Sequence, residues 1–263
     1  MRTKGLSYII FFMLLILSSC SKERVPSTTT KVTYQPNIIE DGYVSKVDNL
    51  YHKYAVYLPD NYYSSESTPL IIFLHGAGGG RNPEDLTKKG PYRAINKGIK
   101  LDFVVASLLN PDIILHGREM VNLWNSEVIN EFLEKEIKVL YKNIDIKRIY
   151  ITGHSMGAGG TVRYAADYPE KVAAIVPISG GRLPEEKKCN LKEVPAWFFH
   201  SKDDIAVPIS VSQNTVDLIN SCLPTVIPKF TVFNKLGHGI SYFIYDKSDE
   251  EIDIYSWMLQ YSK

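Results

Sequence analysis

The chain has 263 residues, 30 basic and 29 acidic, and a formal net charge of +1. That length can bury a sizeable core as one α/β domain. The balanced charge, without a long run of one sign, excludes the basic stripe expected of a nucleic-acid binder.

The chain begins with a targeting pattern. Arg2 and Lys4 make a positive start, and Leu6 to Leu17 is almost entirely apolar, too short for a comfortable membrane span of about 20 residues. The run ends in Leu17-Ser18-Ser19-Cys20. This resembles a bacterial lipobox, an aliphatic and two small residues before a cysteine that is lipidated and becomes the new N-terminus. The alternatives are an ordinary secretory signal, or an uncleaved anchor, with a chance cysteine. The expectation is a lipoprotein signal peptide over 1–19, a flexible Ser-, Thr-, Lys- and Pro-rich tether over 20–36, and one folded domain over 37–263. The protein would be lipid-anchored in a bacterial cell envelope, at the outer membrane or cell surface, since two acyl chains suffice for stable attachment. Ser21-Lys22-Glu23 loosely resembles the charged export signals of some Bacteroidetes surface lipoproteins. With Cys20 assigned to lipid, Cys189 and Cys222 remain in an oxidising compartment, either as a disulfide or as two buried thiols.

From Ile38 to Leu58 the pattern predicts two antiparallel strands, ended by Pro59-Asp60. Continuous apolar runs at Leu70–Leu74, Phe103–Ser107, Arg148–Thr152, Ala173–Ser179 and Ala196–His200 predict strands buried on both faces. Helical patterns cover Glu127–Tyr141, Gly159–Asp167 and Ser210–Ser221, and a last strand at Lys229–Phe233 precedes a helix near Asp249–Tyr261. The alternation implies an α/β fold: a mostly parallel central sheet with helices on both faces and antiparallel N-terminal strands. Ligands of such sheets bind at the carboxyl ends of the strands.

One such end carries Gly153-His154-Ser155-Met156-Gly157. On a strand-to-helix elbow, G-x-S-x-G strains the serine backbone and exposes its hydroxyl as a candidate nucleophile. The N–H of Met156 would then face a developing oxyanion. A serine needs an oriented base. Of six histidines only His238, in Leu236-Gly237-His238-Gly239, comes late enough for the order Ser…Asp…His. His75 opens a glycine-rich loop, His154 lies inside the elbow, His200 ends a strand, and His52 and His116 have no evident context. A metal site built from His75, His154, His200 and His238 lacks ligand spacing. The loop after His200 offers two acids, Asp203 and Asp204; one should orient the imidazole and the other should be a solvated loop charge.

The stretches Pro69–Gly78, Arg148–Gly157, Val194–His200, Gly237-His238 and Tyr255–Leu259 together resemble α/β-hydrolase esterases of the dienelactone-hydrolase, phospholipase/carboxylesterase and feruloyl-esterase-like kind, over roughly Tyr54 to Gln260. The resemblance implies the α/β-hydrolase fold and a catalytic aspartate four residues after the strand-end histidine and four before a proline. That register selects Asp204, with Pro208 as the proline. It also implies a second oxyanion donor at the Ala77 N–H. Two departures stand out: Ser201 where the family usually has glycine, and Ser241 where a tryptophan often follows the histidine.

The resemblance implies a serine carboxylic-ester hydrolase working through an acyl-enzyme, with Ser155, Asp204 and His238 as its triad. Its expected substrates are acyl esters of carbohydrates, feruloyl or acetyl, or other small esters. The alternatives are a peptidase of prolyl-oligopeptidase-like type and a non-catalytic binding lipoprotein on the same fold. Trp124 and His154 are candidate substrate contacts, with Arg81 and Arg118 as further candidates for the pocket. Nothing between Gly79 and Trp124 adds a large lid, which disfavours a long-chain lipase. No nucleotide, flavin or metal motif is visible, so no cofactor is expected.

Overall fold

The computed structural model describes residues 37–78, 82–110, 123–247, 249 and 251–263, together with the backbone of 115–116 and 119–120. The leader, Cys20, the tether, Arg81 and Arg118 lie outside the described residues.

A hairpin of β1 (Ile38–Val44) and β2 (Tyr51–Tyr57) opens the fold. Then come β3 (Thr68–Leu74), two short helices α1 (Pro83–Leu86) and α2 (Pro91–Asn96), and β4 (Val104–Leu108). Two-residue strands β5 (Leu115–His116) and β6 (Glu119–Met120) pair with each other. Next are α3 (Ser126–Glu131), a π-helical stretch over Phe132–Ile137, and α4 (Lys138–Leu140). The second half alternates β7 (Ile144–His154), α5 (Met156–Asp167), β8 (Ala174–Ile178), β9 (Trp197–Ser201), α6 (Ser210–Asn220), β10 (Lys229–Phe233), α7 (Ser241–Tyr245) and α8 (Ile254–Met258).

Eight strands form one sheet in the order β1-β2-β4-β3-β7-β8-β9-β10. The β1–β2 and β2–β4 pairings are antiparallel, and every pairing from β4 to β10 is parallel. Side chains two apart share a face, so the central strands divide between two cores. Leu70, Ile72 and Leu74 of β3 join Ile149 and Ile151 of β7 against Val128, Ile129, Phe132, Val162 and Ala165. Ile71 and Phe73 join Tyr150, Ala174 and Val176 against Tyr92, Ile95, Tyr245, Ile254 and Met258 on the other face. Covering both faces explains why β3 and β8 read as unbroken apolar runs.

Two helices differ from the sequence pattern. The one expected over 127–141 starts at Ser126, where the Asn125 side chain accepts from the Glu127 N–H, and widens to π geometry in its middle. The C-terminal helix is confined to Ile254–Met258, because Asp253 caps it by accepting from the N–H groups of Tyr255 and Ser256.

Cys189 and Cys222 form a disulfide, with their Cα atoms 5.3 Å apart. It ties a 3₁₀ segment, Glu185–Leu191, to the end of α6. Closing a loop of 33 residues contributes about 4 kcal/mol in the chain-entropy view. A Cys189→Ser/Cys222→Ser double variant is therefore expected to melt on the order of 10 °C lower. An unchanged calorimetric Tm would show that the bridge carries no stability.

Candidate active site

The chain leaves β3 toward β4 on one side and leaves β7 toward β8 on the other, so β3 and β7 flank the point where the winding reverses. Side chains just past their carboxyl ends face a common crevice. His75, Gly76, Ala77 and Gly78 follow β3, and Ser155 follows β7.

Ser155 sits between β7 and α5 with φ 58° and ψ −117°, a left-handed conformation that side chains rarely adopt. The turn is possible because the elbow packs directly on the neighbouring strand. A Cβ added at Gly157 would lie 1.9 Å from the Leu74 carbonyl oxygen, and one at Gly153 would lie 2.4 Å from the Gly157 backbone. The Ser155 N–H donates to Ile178 of β8 at 2.9 Å, fixing the turn from the other side. Met156 is the first residue of α5, so its N–H lacks an intrahelical acceptor and points out of the helix N-terminus.

Three side chains from three loops meet here. Ser155 Oγ is 2.9 Å from His238 Nε2, and His238 Nδ1 donates to Asp204 Oδ2 at 2.7 Å. Asp204 is buried, and its Oδ1 accepts from the N–H groups of Ala206 and Val207, each at 2.9 Å. Burial works to raise its pKa, but the Val207 N–H, the His238 contact and the Ala206 N–H together hold it below the usual carboxylate range.

Asp203 does more than carry a solvated charge. Its Oδ1 accepts from Ser201 Oγ at 2.5 Å and from the Gly237 N–H at 2.9 Å. Ser201 Oγ in turn accepts from the Leu236 N–H at 3.0 Å. Ser201, the departure from the usual glycine, thus fastens the acid loop to the loop that carries His238.

The family model for the alpha/beta hydrolase fold matches residues 69–202, half of the chain. The chain belongs to the α/β-hydrolase fold family. A bifunctional acetylxylan esterase/xylanase from Neocallimastix patriciarum is 27% identical over 149 residues, 57% of this chain and 21% of that protein. This chain therefore spans about a fifth of the length of that curated relative. A thermostable esterase superposes with a TM-score of 0.68 at 24% identity, covering 86% of this chain and 64% of the other. A ferulic acid esterase superposes with a TM-score of 0.59 at 17% identity, over 86% of this chain and all of the other.

In this α/β-hydrolase, the two histidines nearest the elbow are structural partners of the site. His154 Nε2 donates to the His238 carbonyl at 2.7 Å, and the two rings lie 4.7 Å apart. His75 Nε2 accepts from the Asn110 N–H at 3.1 Å, while Nδ1 donates to the Gly76 carbonyl at 2.7 Å. Burial lowers the pKa of each to about 4. A group bound neutral in the fold but free to protonate when unfolded favours the unfolded state as pH falls. The stability they lend is complete above the unfolded value near 6.5 and is lost on descending to about 4. At 1.36 kcal/mol per pKa unit this is about 3 kcal/mol for each histidine. Urea denaturation at pH 7 and at pH 4.5 should show a drop of several kcal/mol; equal stabilities would mean that neither ring is held neutral.

Trp124 does not line the cavity beside Ser155, contrary to the sequence expectation. It is 2% exposed, packed on Gly160 and edge-on to His75, and its indole N–H donates to the His75 carbonyl at 3.0 Å. Bulk and a polar tip suited it to anchor the loop that bears Ala77 from behind, a task that no local sequence pattern encodes.

The cavity beside the elbow measures about 210 Å³. It is bounded by Gly76, Ala77, Gly78 and His154, walled by Phe73, Tyr242 and Tyr245, and reached by Ser241 and Lys89. A methyl at Gly76 would lie 3.3 Å from Ser155 Cβ, so this loop runs directly beside Ser155. Ser241, one of the two departures noted in the sequence, is 5% exposed and borders the cavity.

The role of His200 beyond ending a strand, and Lys89 altogether, escape sequence reasoning. His200 is fully buried, its Nε2 donating to the Val207 carbonyl at 2.9 Å and lying 3.3 Å from Asp204 Oδ2. Its Nδ1 sits 2.7 Å from Ser212 Oγ of α6, so it braces the acid loop against that helix. Lys89 reaches the cavity from the turn between α1 and α2; the only signal for it is tertiary.

Proposed function

We propose that the protein is a serine carboxylic-ester hydrolase. The observation that carries this reading is the unbroken relay from Ser155 Oγ to His238 Nε2 and from His238 Nδ1 to Asp204 Oδ2, at 2.9 and 2.7 Å, on a strained elbow. Ser155 Oγ attacks the ester carbonyl as His238 Nε2 takes its proton. Asp204 holds the imidazole in the Nδ1–H tautomer and stabilises the imidazolium that forms. The tetrahedral oxyanion accepts from the N–H groups of Met156 and Ala77, each such donor typically contributing on the order of 10²–10³ in rate. The intermediate expels the alcohol, which receives the proton from His238. Water, deprotonated by His238, then attacks the acyl-serine and releases the acid.

Acyl esters of carbohydrates, feruloyl or acetyl, are the substrates we favour. A 210 Å³ cavity holds about seven water volumes of ≈ 30 Å³, enough for a short acyl group. Its aromatic walls suit a ring that enters part-way. The acetylxylan and ferulic acid esterases to which the chain is similar favour the same class. We also place the protein in the bacterial cell envelope through lipid on Cys20, on the strength of Leu17-Ser18-Ser19-Cys20. Cys20→Ser should move it out of the membrane fraction, and retention there would remove the anchor.

The test of the reaction is a panel of acetylated xylan, methyl ferulate, 4-nitrophenyl acetate and aminoacyl-nitroanilides, with a fluorophosphonate probe for an activated serine. Labelling of Ser155 and turnover of the esters is the expected result. Turnover of the nitroanilides alone would replace an esterase by a peptidase. No labelling would leave a binding protein on this fold.

A further inference from the structure

The cavity beside Ser155 carries one charged side chain among its described lining residues, Lys89. His154, the other ionisable group with a basic nitrogen there, is held neutral at pH 7 by burial, and its Nε2–H is already committed to the His238 carbonyl. Lys89 is half-buried. Its Nζ donates to the Gly78 carbonyl at 2.6 Å. Among the described residues no carboxylate lies within ion-pair distance of it. An ammonium carries three donors, so two remain after the Gly78 contact.

This placement is costly if nothing answers the charge. Burial lowers the Lys89 pKa, and the field of Asp85 offsets that only in part. Other lysines on the described surface meet carboxylates instead: Lys97 with Asp246, Lys171 with Glu134, Lys247 with Asp253. Around Lys89 the cavity offers aromatic faces (Phe73, Tyr242 and Tyr245) and the backbone of Gly76–Gly78. None of these supplies a counter-charge. A site of that kind is complementary to an anion attached to a short apolar or aromatic body.

We propose that this cavity is a subsite for a carboxylate carried by the substrate, with Lys89 as its counter-ion, so that the preferred esters bear a carboxylate a few bonds from the scissile carbonyl. The proposal rests on the ester-hydrolase reading and narrows it. Lys89 contributes binding and selectivity. Because the same Nζ also holds the Gly78 carbonyl, a variant at this position can alter the neighbouring oxyanion loop. The ratio between anionic and neutral substrates is therefore the informative quantity.

The experiment compares kcat/KM for matched pairs. With the carboxylate on the acyl side the pair is 4-nitrophenyl hemiglutarate and 4-nitrophenyl pentanoate. With it on the alcohol side the pair is 4-acetoxybenzoate and phenyl acetate. The expected result is a preference for the anionic member of at least one pair, which identifies the side that enters the cavity. Lys89→Met should lower that ratio roughly ten- to a hundredfold, the size of one charge-assisted hydrogen bond, and Lys89→Arg should keep most of it. The wild-type preference should also shrink with added salt, since the pair is only partly shielded from solvent. Turnover of the neutral esters with no preference in either pair would overturn the subsite and leave the esterase standing. So would a Lys89→Met variant that loses both members of a pair equally. Absence of any ester turnover together with no fluorophosphonate labelling of Ser155 would bring down both.

Discussion

A Ser155→Ala variant is expected to hydrolyse 4-nitrophenyl acetate about 10⁴–10⁶-fold more slowly than the wild type, and to lose fluorophosphonate labelling. The size follows from what the hydroxyl does. In the proposed mechanism no acyl-enzyme would form without it, and what would remain is water attack assisted by the N–H groups of Met156 and Ala77, worth roughly 10³–10⁴ over the uncatalysed reaction. The fold should be untouched. Alanine keeps the same Cβ in the same left-handed backbone, and the side-chain hydrogen bond that disappears is the one to His238. Far-ultraviolet circular dichroism and Tm are the controls. A variant as fast as wild type and equally stable would mean that ester cleavage happens elsewhere on the molecule.

The readability of this protein from its sequence divides along a physical line. The β3, β7 and β8 strands were legible because burial on both faces demands long apolar runs. The elbow at Ser155 was legible because its geometry excludes any side chain at positions 153 and 157. Chain order singled out His238, while the choice of Asp204 over Asp203 came from the register that the family resemblance implies; the structure brings both together with Ser155. What could not be read were contacts between segments far apart in the chain. Trp124 anchors the carbonyl of His75, 49 residues earlier. Ser201 and Asp203 reach Leu236 and Gly237 across 34 or 35 residues. Lys89 and His154 belong to opposite halves of the chain, and no local period records that they line one cavity. The helices α1, α2 and α7, of four to six residues, fall below the length at which a 3.6-residue period can be recognised. Whether Cys189 and Cys222 pair was likewise open, since spacing carries no information about Cα separation.

The two adjacent aspartates are expected to behave very differently when amidated. In Asp204→Asn the side-chain oxygen must stay on Oδ1's position, because the N–H groups of Ala206 and Val207 both need an acceptor there. The amide NH₂ is then turned toward His238 Nδ1, which has to become an acceptor. The imidazole is forced into the Nε2–H tautomer and presents a proton, not a lone pair, to Ser155 Oγ. A base in the wrong tautomer cannot accept the serine proton, and such a change costs about 10⁴ in kcat. In Asp203→Asn the amide oxygen can still accept from Ser201 Oγ and the Gly237 N–H, so kcat should fall by less than roughly tenfold. Steady-state kinetics on both variants with one neutral ester decides the matter. A large loss in Asp203→Asn with Asp204→Asn near wild type would reverse the register that selects the acid. Equal, small losses in both would show that His238 needs no carboxylate to hold its tautomer, and the relay would shrink to the serine and the imidazole.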